Sequence, residues 1–285
     1  MLRSGRTTSI SFTRRSVYLR DSSAPREGLL TGLPQTSSAN PFCSRFVRPG
    51  SIAYRFSGDW DKATVGDRLL RWSTLNFAAS IVGPHGTGKS TLLHTLAPHL
   101  ATAGYELLWF RLSQSDRGAA HRQAILRAVA EMWGSVDHRS RGRCIIIDGF
   151  EQLDWFARIR IATRLCWSTR NPNRFGSLDR PRDFLLVTAH TDPVGIQAFF
   201  RTEWRDSLVE ELTLEKLCQL SPDERAAMIR SARHRASLLC KAPEHDRNVR
   251  DYWFSLYDDY ERLRRERRYN VAAPEWAAAE RRWAQ

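Results

Sequence analysis

The stretch from Ile81 to Thr91, Ile-Val-Gly-Pro-His-Gly-Thr-Gly-Lys-Ser-Thr, constrains the fold of this chain more than any other. It matches the phosphate-binding pattern G-x-x-x-x-G-K-[ST], with Gly83, Gly88, Lys89 and Ser90 at the fixed positions. The chain has only four lysines, so a chance match is expected in roughly one or two chains per thousand of this size. The pattern predicts a loop that surrounds phosphates; the alternative is a glycine-rich turn that binds nothing.

Each fixed position of this loop has a physical task. The glycines let the backbone curl, so that successive N–H groups point inward at the phosphate oxygens. A helix that begins near Lys89 adds the positive end of its dipole. We expect Lys89 to reach the β- and γ-phosphates of ATP and the Ser90 hydroxyl to bind Mg²⁺. The predicted nucleotide-binding residues are Gly83, Pro84, His85, Gly86, Thr87, Gly88, Lys89, Ser90 and Thr91.

The hydrophobic pattern around the loop predicts alternating strands and helices. The predicted strands are residues 77–82, 105–112, 143–148, 184–190 and 208–212. The predicted helices of the core are residues 62–76, 91–100, 119–132, 154–169 and 194–204. We therefore expect an α/β fold of the P-loop NTPase type, a five-stranded, mostly parallel sheet with helices on both faces and a small C-terminal helical lid.

Composition divides the chain into three parts. Residues 1–40 are rich in Arg, Ser and Thr, which predicts a disordered basic tail, with a mitochondrial transit peptide as the alternative. Residues 41–214 form the predicted P-loop core, in which an aromatic residue from Pro41–Phe56 either contacts the base or packs in the core. Residues 215–285 form the predicted lid and C-terminal helices, with helices from Ser221, over 248–268 and over 272–285.

The second chemical landmark is the segment Arg143–Asp148, Arg-Cys-Ile-Ile-Ile-Asp. Its apolar run predicts a strand that is buried on both faces, as in a parallel sheet. An ionised aspartate at the end of such a strand is costly unless it holds a cation. We therefore expect Asp148 and Ser90 to form the Mg²⁺ site, with Asp148 ordering the hydration shell of the metal.

Three further side chains are candidates for placing the attacking water. Gly149 follows the aspartate, so Glu151 is the nearest carboxylate; it is either a catalytic base or the cap of the next helix. Thr188 and His190 lie at the end of the strand over 184–190, on the ligand side of a parallel sheet. We expect one of them to sense the γ-phosphate or place the water, whereas a solvated histidine is the alternative for His190.

These motifs resemble those of the additional-strand P-loop ATPases, near the AAA-like and STAND-type groups and their short, stand-alone bacterial members. Ile147-Asp-Gly-Phe-Glu-Gln-Leu153 is similar to their D-G-x-[DE] form, and Leu186–His190 is similar to a sensor strand. Asn248-Val-Arg250 is similar to the second-sensor arginine of AAA-like lids. The resemblance implies that Arg250 contacts the γ-phosphate, so Lys89, Glu151, His190 and Arg250 are the predicted catalytic residues.

Charge and cysteine content bear on partners and location. Lysine and arginine number 44 against 31 acidic residues, a formal net charge of +13, which allows nucleic acid as a partner. Arg201 or Arg205 would act on a neighbouring subunit if the chain forms a homo-oligomer; surface charge is the alternative. The five cysteines form no C-x-x-C pair, which indicates reduced thiols in a cytoplasmic protein without a zinc site. No apolar run approaches the roughly 18 residues of a membrane span.

The sequence leaves three functions open. The first is an ATPase or an ATP-dependent switch with ATP, Mg²⁺ and an unknown protein partner. The second is a small-molecule or nucleotide kinase, with an acceptor pocket from residues 113–122 and 170–182. The third is a nucleotide-dependent adaptor that binds nucleic acid or protein. The first two predict different sheets: in the ATPase the Phe184 strand lies between the Ile81 and Ile145 strands, and in the kinase those two strands are neighbours.

Overall fold

The computed structural model describes residues 40–112, 119–134, 142–169, 182–243 and 247–283, without the side chains of 119–121, 133–134, 168–169 and 268–283. The strands are β1 (Ala78–Val82), β2 (Glu106–Arg111), β3 (Arg143–Asp148), β4 (Phe184–Ala189) and β5 (Ala198–Arg201). The helices are α1 (Ser44–Val47), α2 (Lys62–Leu75), α3 (Lys89–Thr102), α4 (Ala119–Gly134), α5 (Trp155–Thr169), α6 (Asp206–Leu217), α7 (Pro222–Lys241) and α8 (Val249–Trp283). A short 3₁₀ helix, Phe150–Gln152, follows β3.

The five strands form one parallel sheet in the order β2-β3-β4-β1-β5. β3 and β4 are buried at every position because helices cover both faces. Side chains alternate between the faces, so Ile146 and Leu186 enter one core cluster and Ile145 and Leu185 enter the other. The predicted α/β fold class is confirmed.

The first core cluster lies between the sheet and helices α2 and α3. Leu92, Leu93, Leu96 and Leu100, the four leucines on which the α3 prediction rested, are all fully buried there. The second cluster lies on the opposite face, where α4 and α5 contribute Ile125, Val129, Ile161 and Leu165. The two clusters hold the sheet rigidly between helices, which fixes the carboxyl ends of the strands in space.

The strand order distinguishes the sheet predicted for an ATPase from the sheet predicted for a kinase. β4 lies between β1 and β3, with Ile81 paired to Thr188 and Ile147 paired to Val187. This is the arrangement predicted for an ATPase, and it is confirmed. The arrangement predicted for the kinase, with β1 and β3 adjacent, is wrong for this chain.

Two predictions between residues 194 and 212 are wrong: the predicted helix contains a strand, and the predicted strand lies within a helix. The predicted helix over 194–204 contains the edge strand β5, because Pro193 and Gly195 form a turn and Phe199 then packs into the first core cluster beside β1. The predicted strand over 208–212 belongs to helix α6. There the buried residues recur every four positions, at Val209, Thr213 and Leu217, as a helix face requires.

Helices α6, α7 and α8 pack around a third cluster, which includes Phe42 from the segment before the sheet. The predicted helix start at Ser221 is confirmed, since Glu224 accepts hydrogen bonds from the amide and hydroxyl of Ser221. The two helices predicted over 248–268 and 272–285 are one continuous helix, α8, as far as Trp283, and this helix includes Pro274. The predicted domain boundary at residue 214 falls inside α6 and stays a prediction.

Some predictions concern residues outside the described ones. They are the basic tail over 1–40, apart from Asn40, and most of the acceptor-pocket segments over 113–122 and 170–182. Within the described part of the chain, no helix combines the length and apolarity that crossing a bilayer demands.

Candidate nucleotide site

A cleft of about 520 Å³ opens at the carboxyl ends of β1, β3 and β4, below the start of α8. Its polar end is lined by residues 85–91, Asp148, Glu151, Thr188, His190 and Arg250. Its other end is lined mainly by apolar groups, namely Val47, Ile52, Ala53, Tyr54, Leu208, Val209, Leu212 and Trp253. Eleven of the thirteen predicted site residues therefore line one cleft; Gly83 and Pro84 do not line it.

The loop between β1 and α3 has the tight backbone that the pattern predicts. Gly83 lies so close to the chain after β5 that a Cβ atom would sit 2.3 Å from the carbonyl oxygen of Thr202. Gly86 has a φ of +73°, and a Cβ atom there would sit 2.9 Å from the amide nitrogen of Val249. The first glycine thus seats the loop on the sheet, and the second lets α8 begin directly against the loop.

Lys89, the first residue of α3, is folded back onto the loop. Its Nζ donates to the carbonyl oxygens of Gly83 at 2.7 Å and Pro84 at 2.6 Å. Burial lowers the pKa of Lys89 to about 8, although Glu151 and Asp148 oppose the shift. The lysine is therefore an ammonium group with incomplete charge compensation, which a polyphosphate would supply.

Asp148 is held by two hydroxyl donors, one from the first turn of α3 and one from β4. Its Oδ1 accepts from the hydroxyls of Ser90 and Thr188, each at 2.8 Å. The Thr188 hydroxyl in turn accepts from the amide of Gly149 at 2.8 Å, so β4 fixes the end of β3. These contacts join the two predicted metal ligands, Ser90 and Asp148, and explain why a threonine stands at position 188.

Arg111 is a site residue that the sequence reasoning missed. It ends β2, and its Nε lies 3.4 Å from Oδ2 of Asp148, while its Nη2 lies 3.1 Å from Nε2 of His94. The signal was available, because parallel strands end at the same edge of the sheet and β2 neighbours β3. Arg111 places a positive charge beside the carboxylate that is predicted to face the metal.

Glu151, His190 and His85 meet at the lining of the cleft. His190 Nε2 lies 3.2 Å from Oε1 of Glu151, and the rings of His190 and His85 are 3.6 Å apart in an edge-to-face arrangement. Burial, with smaller contributions from Lys89 and His85, lowers the pKa of His190 to about 4. With its pKa lowered to about 4, His190 is neutral at pH 7, so one of its two ring nitrogens is an acceptor.

Glu151 does not cap the helix that follows it, so this alternative reading of Glu151 is wrong. The amide of Ala157 donates at 2.8 Å to Asp154, which is the residue that caps α5. Glu151 Oε2 is buried and has no hydrogen-bond partner within the described residues. A carboxylate oxygen in that position is available to a water molecule or a ligand in the cleft.

The start of α8 brings Arg250 over the loop. Asn248 accepts from the amide of Arg250 at 3.0 Å, and the backbone of Asn248 and Val249 lies against Gly86. The positive charge of Arg250 contributes to lowering the pKa of His85, after burial and Lys89. The predicted second-sensor arginine therefore lies on the cleft, near the end where Glu151 and His190 meet.

The apolar end of the cleft includes aromatic residues from two distant segments. Tyr54 comes from the predicted aromatic segment, and its ring lies against Gly88. Trp253, on α8, is nearly buried, and its Nε1 has no hydrogen-bond partner within the described residues. Sequence reasoning missed Trp253 as a site residue, because its helical spacing indicated only a core position.

The two arginines considered as trans-acting residues lie in different surroundings. Arg201 forms an ion pair with Asp192, in which its Nη2 donates to both carboxylate oxygens at 2.9 Å. Arg205 donates to the carbonyl of Arg55 at 2.7 Å and lines the chain's own cleft. A role in a neighbouring subunit stays a prediction for both.

The strand order, the position of the loop after β1 and the aspartate at the end of β3 are now all in place. The chain has the fold of the additional-strand P-loop ATPases. The resemblance stated from the motifs is thereby confirmed at the level of the fold.

Comparisons with known proteins add little to this assignment. No family model matches the sequence, and no curated protein matches it. Among solved structures, the chain is similar to PCH-2 of C. elegans, with 16% identity, coverage of 71% of this chain and 68% of that chain, and a TM-score of 0.37. It is similar to the replication initiator DnaA bound to AMPPCP and single-stranded DNA, with 16% identity, coverage of 79% and 72%, and a TM-score of 0.41.

The chain is also similar to Drosophila ORC bound to DNA, with 12% identity, coverage of 86% of this chain and 65% of that chain, and a TM-score of 0.49. All three TM-scores are below 0.5. The fold assignment accordingly depends on the strand order and the motifs of this chain, and not on these likenesses.

Proposed function

We propose that the chain binds Mg·ATP in the cleft and hydrolyses it, as an ATPase or an ATP-dependent switch. The observation that carries the proposal is the meeting of Lys89, Ser90 and Asp148. They come from sequence positions almost sixty residues apart, yet the Ser90 hydroxyl lies 2.8 Å from Asp148. A lysine whose charge is only partly compensated, beside a hydroxyl and carboxylate pair, is suited to a triphosphate with its metal ion.

The donor groups at this point fit Mg²⁺. Magnesium prefers oxygen ligands, and the Ser90 hydroxyl and the Asp148 carboxylate supply them at the mouth of the loop. In the proposed complex, Ser90 holds the ion and Asp148 orders its water shell. When bound, the ion neutralises charge on the phosphate oxygens.

Turnover would depend on the group formed by Glu151, His190 and His85. We propose that Glu151 and His190 together place the attacking water, with the free oxygen of Glu151 and Nδ1 of His190 as acceptors. In many ATPases a glutamate next to the aspartate polarises the attacking water. This chain has Gly149 at that position, so the pair of Glu151 and His190 would take over the role. Positioned bases of this kind contribute roughly 10²–10⁴ in rate.

The helices over 215–285 would act as a lid. Arg250 would contact the γ-phosphate from above the loop and report the state of the nucleotide. We keep a protein partner, a homo-oligomer and a cytoplasmic location as further proposals. The kinase alternative is disfavoured, because the observed strand order is the one expected of the ATPase.

The adaptor alternative depends on the charge of +13. Binding to nucleic acid through a basic surface should fall steeply as salt rises. An affinity for DNA that is insensitive to salt would count against this alternative.

Replacing Lys89 by alanine tests the proposal. We expect Mg·ATP to stabilise the native chain against thermal unfolding, by about 2.7 kcal/mol when ATP is present at a hundredfold excess over Kd. Lys89→Ala should abolish this stabilisation, because the loop loses its only ammonium group.

Lys62→Ala is the matched control, since Lys62 is an exposed lysine at the start of α2. It should keep the full effect of Mg·ATP. Equal protection of the native chain and of Lys89→Ala would remove the loop from nucleotide binding and with it the proposed function.

A further inference from the structure

The outward face of α5 is unusually apolar. The exposed fractions are 82% for Phe156, 76% for Trp167, 56% for Trp155 and 39% for Ile159. Eleven large hydrophobic side chains are exposed within the described residues, and these four share one fifteen-residue helix. Patches of exposed apolar side chains mark interaction surfaces, whereas single exposed apolar side chains are ordinary on protein surfaces.

These four side chains are on the same side of the helix, with Trp167 about 12 Å further along the helix axis than Ile159. At 3.6 residues per turn, positions 155, 156, 159 and 167 fall within an arc of about 120°. The opposite side of α5 carries Ala157, Ile161 and Leu165, which are buried in the second core cluster. The outward residues are therefore not needed for packing against the sheet. We call these four residues the α5 face.

The loop before β5 extends the α5 face. Gly195 lies against α5, since a Cβ atom there would be 3.2 Å from the Cβ of Ala162. The neighbouring Val194 is 68% exposed. The apolar surface thus continues from the helix onto the adjacent loop.

The charge that α5 itself carries has one sign. From Trp155 to Thr169 the helix carries three arginines and no acidic residue, and of these arginines Arg160 is exposed whereas Arg158 and Arg164 are half-buried. The nearest carboxylate before the helix, Asp154, is already engaged by Arg122 and by the amide of Ala157. A partner for this face must match apolar anchors at the centre and positive charge at the rim.

We propose that the α5 face is a docking surface for an acidic amphipathic helix of a partner protein. Such a helix offers apolar side chains at helical spacing and carboxylates beside them. A second copy of the chain is a poorer match, because a two-fold contact would set the arginines of α5 against each other. Nucleic acid is also a poorer match, because one exposed arginine, Arg160, does not make the basic groove that tracks a phosphate backbone.

Two labelled twenty-residue peptides test this proposal on the full chain, without nucleotide. One carries leucines on one helical face and glutamates on the other, and the second has lysines in place of the glutamates. We expect the glutamate peptide to bind, as measured by fluorescence anisotropy. Phe156→Asp and Trp167→Asp should each weaken it at least about tenfold. Arg160→Glu should weaken the glutamate peptide and strengthen the lysine peptide.

Helix α7 supplies the matched controls, since Leu238 is 49% exposed and Arg233 is also exposed. Leu238→Asp and Arg233→Glu should leave peptide binding unchanged, and circular dichroism should show native helix content in every variant. Failure of the glutamate peptide to bind, or equal losses in the control variants, would overturn the proposal. Two other outcomes would assign the face to another occupant and also overturn the proposal. One is binding of a single-stranded oligonucleotide that is lost in Phe156→Asp, and the other is self-association in sedimentation that is lost in the same variant.

Discussion

The phosphate-binding loop and the group that is proposed to place the attacking water are built in different ways. The loop over 83–91 is one continuous segment that presents backbone amides and Lys89. The group that is proposed to place the water needs two further segments, which bring Glu151 and His190 to His85 of the same loop. A local pattern therefore encodes the phosphate contacts, whereas the order of the strands creates the water-placing group. Binding and turnover should consequently be separable by mutation.

Glu151→Gln should have the largest effect that separates the two. We expect turnover to fall by roughly 10²–10⁴, because the amide cannot accept a proton, while the affinity for ATP stays within about threefold of the native value. Phosphate release measures the first quantity, and calorimetric titration measures the second.

Glu203→Gln is the control for this substitution, because Glu203 lines the same cleft outside the water-placing group. It should leave turnover near the native rate. Native turnover in Glu151→Gln would remove Glu151 from the mechanism. It would also contradict the assignment of binding and turnover to two different regions.

His190→Gln should have a smaller effect of the same kind. Glutamine can still donate to Glu151, but its position is less constrained than that of the imidazole ring. We expect turnover to fall by about 10- to 100-fold with ATP affinity preserved. His99→Gln, on the far side of α3 against Gly66, should leave both quantities unchanged. A loss of affinity in place of turnover would move His190 to the binding region.

The smallest effect concerns the pH dependence of stability. The pKa of His190 is about 4 in the folded chain and about 6.5 when the chain is unfolded. Between these values the unfolded chain binds a proton that the folded chain does not, so stability falls as the pH is lowered through this window. For a side chain that is 26% exposed, the contribution at pH 5 is about 1–2 kcal/mol.

His190→Gln removes that titration. Urea unfolding at pH 7 and pH 5 should therefore show a smaller loss of stability in the variant than in the native chain. Equal losses in both proteins would mean that His190 is not held in the neutral form by its surroundings.

The sequence was sufficient for most of the sheet. The buried runs of β3 and β4 and the leucines of α3 are long, regular patterns, and each forms the predicted element. The order of the strands came from the resemblance to a known group, and not from periodicity. The loop, Asp148 and Ser90 were predictable because each occupies a fixed place relative to a strand.

The rest depends on contacts between distant segments. β5 has only four residues and gains its identity from pairing with β1, so its apolar residues were assigned to a helix. The contact between His85 and His190 joins positions more than a hundred residues apart, and nothing local predicts it. The sequence alone left open whether Glu151 is a base or the cap of α5. The structure shows that Asp154 caps α5, which leaves Glu151 available.

A crystal structure of the chain with Mg²⁺ and a non-hydrolysable ATP analogue tests the central claim most directly. We predict that the triphosphate lies within the amides of 83–91, that the ion contacts the Ser90 hydroxyl, and that Lys89 Nζ leaves the carbonyls of Gly83 and Pro84 for the phosphates. A nucleotide bound elsewhere, or a lysine still 2.6–2.7 Å from those carbonyls, would contradict it.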